Sequence, residues 1–152
     1  MPTVILRALQ GRTLPVYGDG GNVRDWLFVD DHARALGDIL ERGAPGRTYA
    51  VGGDAERTNL QVLHSLCGVL DRLAPLSLGR KHADAIVMVP DRPGHDRRYA
   101  IDASRVREEL GWSPQVNFEE GIEQTVRWYL DNQAWWGPLA AAPRGLERLG
   151  RL

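Results

Sequence analysis

Arginine carries the chemistry this sequence offers. Of its 19 basic residues Lys81 is the single lysine, so any mechanism that needs an ammonium must use that one. The most unusual stretch is Asp91-Arg92-Pro93-Gly94-His95-Asp96-Arg97-Arg98-Tyr99, which sets three arginines, a histidine and a tyrosine around a Pro-Gly turn. Guanidinium groups grip phosphate oxygens in pairs, and a Pro-Gly turn can fix the loop that presents them. Arg24, in Arg24-Asp25-Trp26, is a second such group, and two arginine sites far apart in sequence could converge on the two phosphates of a diphosphate. The plainer reading pairs Arg97 and Arg98 with nearby acids such as Asp96 and Asp102 on a solvated face, with His95 structural or exposed. At the level of residues both readings stand. Lys81 and His82 are expected to be solvated.

Other chemistries fail on spacing. Gly18-Asp19-Gly20-Gly21-Asn22-Val23 begins like a dinucleotide fingerprint but has Val23 where the third glycine belongs. Val51-Gly52-Gly53 lacks the remaining glycines and the paired acid. Both read as plain turns. The 4 tyrosines are followed four residues later by Gly21, Gly53, Ala103 and Gln133, so no Tyr-x-x-x-Lys proton relay exists in this chain. There is no G-x-S-x-G elbow, and Cys67, three residues from His64 on an apolar helical run, reads as a small core residue. No catalytic residue, no cofactor-binding residue and no metal ligand set is expected.

The elements that must hold the arginines are short. The pattern predicts a helix over 2–10 stopped by Gly11, a strand over 13–17 with Pro15 at an edge, and a turn over 18–22. It then predicts a strand over 26–29 and a helix from about 32 to 42, capped by Asp30-Asp31 and buried along Ala33, Leu36, Ile39 and Leu40. A strand over 48–51 leads to a helix capped by Thr58 or Asn59, with Leu60, Val62, Leu63, Leu66, Val69 and Leu70 inside. Strands over 85–89 and 98–101 follow. Asp102 caps a helix ending at Gly111, and Asn117 or Phe118 opens the last long one. Strands interleaved with helices make an α/β fold, small and mixed.

Composition bounds the rest. The chain has 152 residues, a net charge of −1, 43% hydrophobic and 26% charged residues. That supports one domain with a real core and gives no basic surplus for a nucleic-acid partner. One cysteine excludes a disulfide framework. No run reaches the roughly 18 apolar residues of a membrane span, and the start does not read as a signal peptide. A cytoplasmic protein with no membrane partner is the expectation.

The segments LPVYGDGGNVRDWLFVDDHARAL, TYAVGGDAERTNLQVL and PDRPGHDRRYAIDASRVREELGWSPQVNFEEGIEQTVRWYLDN resemble the C-terminal part of the dTDP-glucose 4,6-dehydratases. These are members of the extended short-chain dehydrogenase/reductase family of NAD-dependent nucleotide-sugar epimerases and dehydratases. The resemblance runs from residue 1 to about 133. It implies that residues 1–136 form the small mixed C-terminal substrate-binding lobe, with the Rossmann lobe largely absent, and that 137–152 is a flexible or loosely helical tail. It implies that Arg24 and Arg92 face the diphosphate of a dTDP-sugar and that Asn59 and His95 contact the nucleotide end. Pro15 and Tyr17 on the first strand, and Asp91 beside Arg92, would line the same pocket.

In the family the Rossmann lobe holds NAD and the catalytic residues, so no cofactor is expected on this chain alone. The resemblance implies the substrate-binding portion of an enzyme that converts dTDP-glucose to dTDP-4-keto-6-deoxyglucose and water, inactive as a lone chain. A separate Rossmann half is a candidate partner. The alternatives are a stand-alone nucleotide-sugar-binding module and a gene remnant that binds nothing. Surface meant for the Rossmann lobe would favour self-association, with the first helix, Trp128, Trp135 and Trp136 as candidates.

Overall fold

The protein is described by a computed structural model over residues 1–141. Helix α1 (Pro2–Leu9) opens with Pro2 in its first turn, where the missing N–H costs nothing, and buries Ile5, Leu6 and Ala8. Its apolar face is therefore core and not the exposed surface expected of it. Strand β1 (Leu14–Tyr17) alternates cleanly: Leu14 and Val16 point inward, while Pro15 and Tyr17 lie on the outer face. It pairs in parallel with β4 (Ile86–Val89), Tyr17 opposite Val89.

Between them lies most of the chain. Strand β2 (Val23–Asp25) pairs antiparallel with β3 (Glu56–Thr58). Thr58 caps α3 (Asn59–Leu73) through a reciprocal box with Gln61, in which each side chain takes the other residue's backbone N–H. Helix α3 buries Val62, Leu63, Leu66, Cys67, Val69 and Leu70 as its spacing requires, leaving His64 exposed. It packs with α1, β1 and α5 (Phe118–Asp131) into the main core, where Ile122 and Val126 answer Leu66 and Leu70. Each such fully buried aliphatic side chain contributes about 1.5–3 kcal/mol. The Cys67 thiol sits in this core, and burial pushes its pKa up to about 11.

Several expectations are corrected. Residues 26–29 form no strand; the strand comes one step earlier as β2, and Phe28, extended, caps a helix α2 that runs Val29–Arg42. Asp30 and Asp31 lie inside its first turn. Asp31 is buried and serves another segment, accepting the backbone N–H groups of Gln115 (3.0 Å) and Val116 (2.9 Å) and a 2.5 Å bond from Arg34. Its backbone carbonyl also takes the indole N–H of buried Trp112. Burial raises the Asp31 pKa, but these donors outweigh it and hold the carboxyl below its usual range.

The buried face of α2 is also not the expected one. Ala35 is inside, in a second core with Ala103, Val106, Leu110 and Trp112, whereas Leu36 is 55% and Leu40 87% exposed. Residues 48–51 form no strand because no neighbouring strand pairs with them, although Tyr49 and Val51 pack on that second core. His82, expected in solvent, is buried: its N–H bonds Asp71 and its ring Nε2 lies 2.9 Å from the Ala74 carbonyl.

Helix α4 (Ser104–Leu110) starts after Ala103, with the Asp102 carboxylate accepting the Ser104 N–H, and stops at Gly111 in the left-handed region that a C′ glycine favours. Asn117 caps α5 as expected. Helix α6 (Gln133–Ala141) carries the chain past residue 137, and the rest of the predicted tail lies outside the described residues.

Candidate functional site

Four pieces of backbone meet at the C-terminal ends of β1 and β4. The Gly18 N–H bonds the Val89 carbonyl at 2.9 Å, so the turn after β1 and the loop after β4 leave the sheet side by side. Val23 on β2 then exchanges backbone bonds with the same loop, its N–H to the Arg97 carbonyl and its carbonyl from the Tyr99 N–H. Asn22 ties in the start of α3: its carbonyl takes the Asn59 N–H at 3.0 Å, and its buried side-chain amide donates to the Asp96 carbonyl at 3.1 Å. Pro15, Tyr17, Arg24, Asn59, Asp91, Arg92 and His95 are thus gathered by backbone ladders and caps from four separate stretches.

The side chains form two cation–aromatic stacks. The Arg24 guanidinium lies 4.4 Å from the Tyr99 ring centre and donates to the Val23 carbonyl (2.6 Å) and the Asp96 carbonyl (3.0 Å). The Arg92 guanidinium lies 5.5 Å from the Tyr17 ring centre. The Tyr99 hydroxyl donates to the Asp96 carboxylate, which raises the phenol pKa, while both Arg24 and Arg92 stand near enough to pull it the other way.

Beneath Arg92, Asp91 accepts the Arg92 N–H (2.8 Å) and meets His95 Nδ1 at 2.6 Å, and His95 stands edge-on to Tyr17. The hydrogen bond to His95, then that to the Arg92 N–H, hold the Asp91 carboxyl below its ordinary pKa. Arg97 and Arg98 are ion-paired as the plainer reading requires, but with Asp19 and Glu56 instead of Asp96 and Asp102. Tyr99 and Asp96 were noted in the sequence, as an aromatic among arginines and as a surface ion-pair partner, but their roles as the platform for Arg24 and the acceptor for the Tyr99 hydroxyl were not.

This arrangement suits an anion with an attached ring. Guanidinium groups held by aromatic faces and carbonyls keep unused donors for phosphate oxygens, and neither can lose its charge. The glycine-rich loops do not suit the pyrophosphate of NAD. The 18–22 turn runs into β2 instead of opening a helix, the Asn22 and Gly20 carbonyls take up the Asn59 and Leu60 N–H groups at the start of α3, and the Asp25 carboxylate occupies the backbone donors of Gly53 and Ala55 at 2.8 Å each. Among the described residues no three metal-binding side chains cluster.

A cavity of about 1240 Å³ lies elsewhere, lined mainly by apolar groups of residues 26–30, 113–119 and α5, and it contains none of the seven residues above. Its walls hold the buried Trp26 indole N–H, which has no partner among the described residues. The cavity carries the volume, whereas the paired guanidinium donors lie at the ends of β1 and β4.

The comparisons place this small mixed α/β fold among the extended short-chain dehydrogenases/reductases. A model of the GDP-mannose 4,6 dehydratase family matches residues 1–125, and the chain belongs to that family. It is 52% identical over 150 residues to a dTDP-glucose 4,6-dehydratase of Xanthomonas campestris and 49% identical to one of Neisseria meningitidis. In each case 99% of this chain is matched but only 43% of the relative's length.

Two solved dTDP-glucose 4,6-dehydratases align at a TM-score of 0.78. That of Bacillus anthracis, in complex with NAD, is 42% identical over 90% of this chain and 40% of its own. That of Streptomyces venezuelae, with NAD and TYD bound, is 40% identical over 91% of this chain and 40% of its own.

Proposed function

We propose that the chain is the dTDP-sugar-binding portion of a dTDP-glucose 4,6-dehydratase, the enzyme class that turns dTDP-glucose into the 4-keto-6-deoxy sugar and water with NAD. The observation that carries this reading is the pair of arginine–aromatic stacks, Arg24–Tyr99 and Arg92–Tyr17, that the 91–99 loop brings together with the Asp91–His95 pair. Arg24 and Arg92 bind the diphosphate, while Asn59, His95, Pro15 and Tyr17 receive the nucleoside. The resemblance of the named relatives supports the choice of dTDP.

Binding, orienting and shielding the diphosphate are what these residues supply. Proton and hydride chemistry is assigned to another half, since this chain has no tyrosine four residues before a lysine and no loop shaped for NAD. Alone it is expected to hold dTDP-glucose without converting it.

The apolar face of α2 and the cavity beside Trp26 favour a separate dinucleotide-binding half as partner, with self-association when that half is missing. Among the described residues no helix is long and apolar enough to cross a membrane, and a cytoplasmic site of action accords with a sugar-nucleotide substrate.

A thermal melt of the purified chain with and without dTDP-glucose tests the reading. At a hundredfold excess over Kd, binding should stabilise the fold by about 2.7 kcal/mol. A cooperative melt indifferent to ligand would defeat it, and formation of the 4-keto-6-deoxy product by this chain with added NAD would defeat the division of labour.

A further inference from the structure

We propose that Asp91 is a positioning residue: its carboxylate holds the His95 ring as the Nδ1–H tautomer and thereby presents Nε2 as a hydrogen-bond acceptor to the nucleotide. The second half of this statement rests on the nucleotide reading of the site given above. The first half stands on geometry alone.

The His95 side chain is only 4% exposed, whereas Asp91 is 45% exposed. A ring so enclosed cannot exchange its partners freely with water. Its Nδ1 is 2.6 Å from Asp91 Oδ1. An ionised carboxylate only accepts, so this nitrogen carries the proton, and the other nitrogen of the neutral ring is left with its lone pair.

Asp91 is in turn held from two sides. The same Oδ1 takes the Arg92 N–H at 2.8 Å, and the carboxylate lies over Gly18, where an added Cβ would come within 2.9 Å of Oδ2. Gly18 also has a φ of +58°, so the turn needs glycine both for its backbone and for the space Asp91 fills. On the far side the Tyr17 ring meets His95 at 83° with ring centres 6.2 Å apart, which fixes the ring plane. The carboxylate is ionised at neutral pH, and its hydrogen bonds, chiefly that to His95, lower its pKa further.

In this arrangement Asp91 needs no contact with the ligand. It acts through His95, as the carboxylate partner of a metal-bound histidine does when it selects which nitrogen faces the metal. Nucleotide groups that donate, such as a ring N–H, are matched to such an acceptor nitrogen.

Two-bond ¹H–¹⁵N spectra of the whole labelled chain at pH 8 read the tautomer directly, and titration with thymidine 5′-diphosphate reads its use. Wild type should show His95 as Nδ1–H. Asp91→Ala should move it toward Nε2–H and weaken the nucleotide about tenfold. Asp91→Asn, which keeps an acceptor oxygen, should restore most of both. In a His95→Ala background Asp91→Ala should cost nothing further, because Asp91 would have no ring to act on.

An Nε2–H ring in the wild type overturns the proposal, and so do additive losses in the double variant, since they would have Asp91 act on the ligand or through Arg92 instead of through His95. A wild-type chain that shows the Nδ1–H ring but binds no thymidine diphosphate refutes the nucleotide reading and the acceptor role with it, while the tautomer lock stands.

Discussion

The arginine site and the outer face of α2 solve opposite problems. At the site most charged side chains have a partner within the chain: Arg24 two carbonyls and Tyr99, His95 Asp91, Arg97 Asp19, Arg98 Glu56. On the outer face of α2 the apolar groups are answered by nothing described. Val29, Leu36 and Leu40 stand 67%, 55% and 87% exposed, at positions i, i+7 and i+11 of one helical stripe, and Val29 borders the cavity. Polar positioning can be completed by short loops and caps, because each bond needs only one partner atom. Apolar burial needs area, and area has to come from another body of the fold.

Asp31 marks the inner limit of that contrast, a buried charge on α2 that is fully answered. Asp31→Ala should cost about 3 kcal/mol of stability, because it strands the Gln115 and Val116 N–H groups and the Arg34 charge. Chemical denaturation of the two proteins measures it. The carboxyl's folded pKa lies below its ordinary value near 3.8. Its contribution is therefore fully present above that value and is lost as the pH falls through the lower, folded one. The difference between wild type and Asp31→Asn should shrink below about pH 4; a constant difference would show that the bonds do not depend on charge.

Arg92→Ala should come next, removing about 2 kcal/mol of dTDP-sugar binding, a loss of roughly thirtyfold by calorimetry, with little change in the melt of the free chain. Arg24→Ala sharpens the comparison, since Arg24 also clamps the Asp96 carbonyl and should lower both affinity and melting temperature. Equal behaviour of the two variants would break the distinction between an anchored and a purely ligand-facing arginine. The smallest effect belongs to α2: Leu36→Glu with Leu40→Glu should leave stability within about 0.5 kcal/mol yet suppress self-association in sedimentation. Unchanged association would move the sticky surface elsewhere, to exposed Trp128 and Trp135.

What the sequence disclosed follows the same line. Helix α3 was legible because its period, its Thr58–Gln61 box and its apolar stripe agree, and the main core follows from it. The seven candidate residues were legible as types, but only the ladders through Val23 and Gly18 show that the stretches carrying them run side by side.

Residues 48–51 alternate as a strand should, but a strand exists only with a neighbour, and a local pattern cannot say that the neighbour is lacking. Leu36 and Leu40 misled for the same reason: apolar spacing announces a face to be covered without saying by what. Conversely β3 was hidden because Glu56-Arg57-Thr58 carries no apolar signal and is made a strand by β2 alone. Asp31 was read as a cap from its position, and its distant backbone partners could not be seen along the chain.

Cys67 gives this chain a built-in reporter. It is the sole cysteine, lies 1% exposed within α3, and has a thiol pKa near 11 that keeps it protonated and unreactive at neutral pH. Alkylation can therefore proceed only during excursions that bring the middle of α3 into water. The labelling rate then counts those excursions at one known position, and its slowing by a bound sugar nucleotide would register how far the grip of the arginine loop travels into the hydrophobic centre.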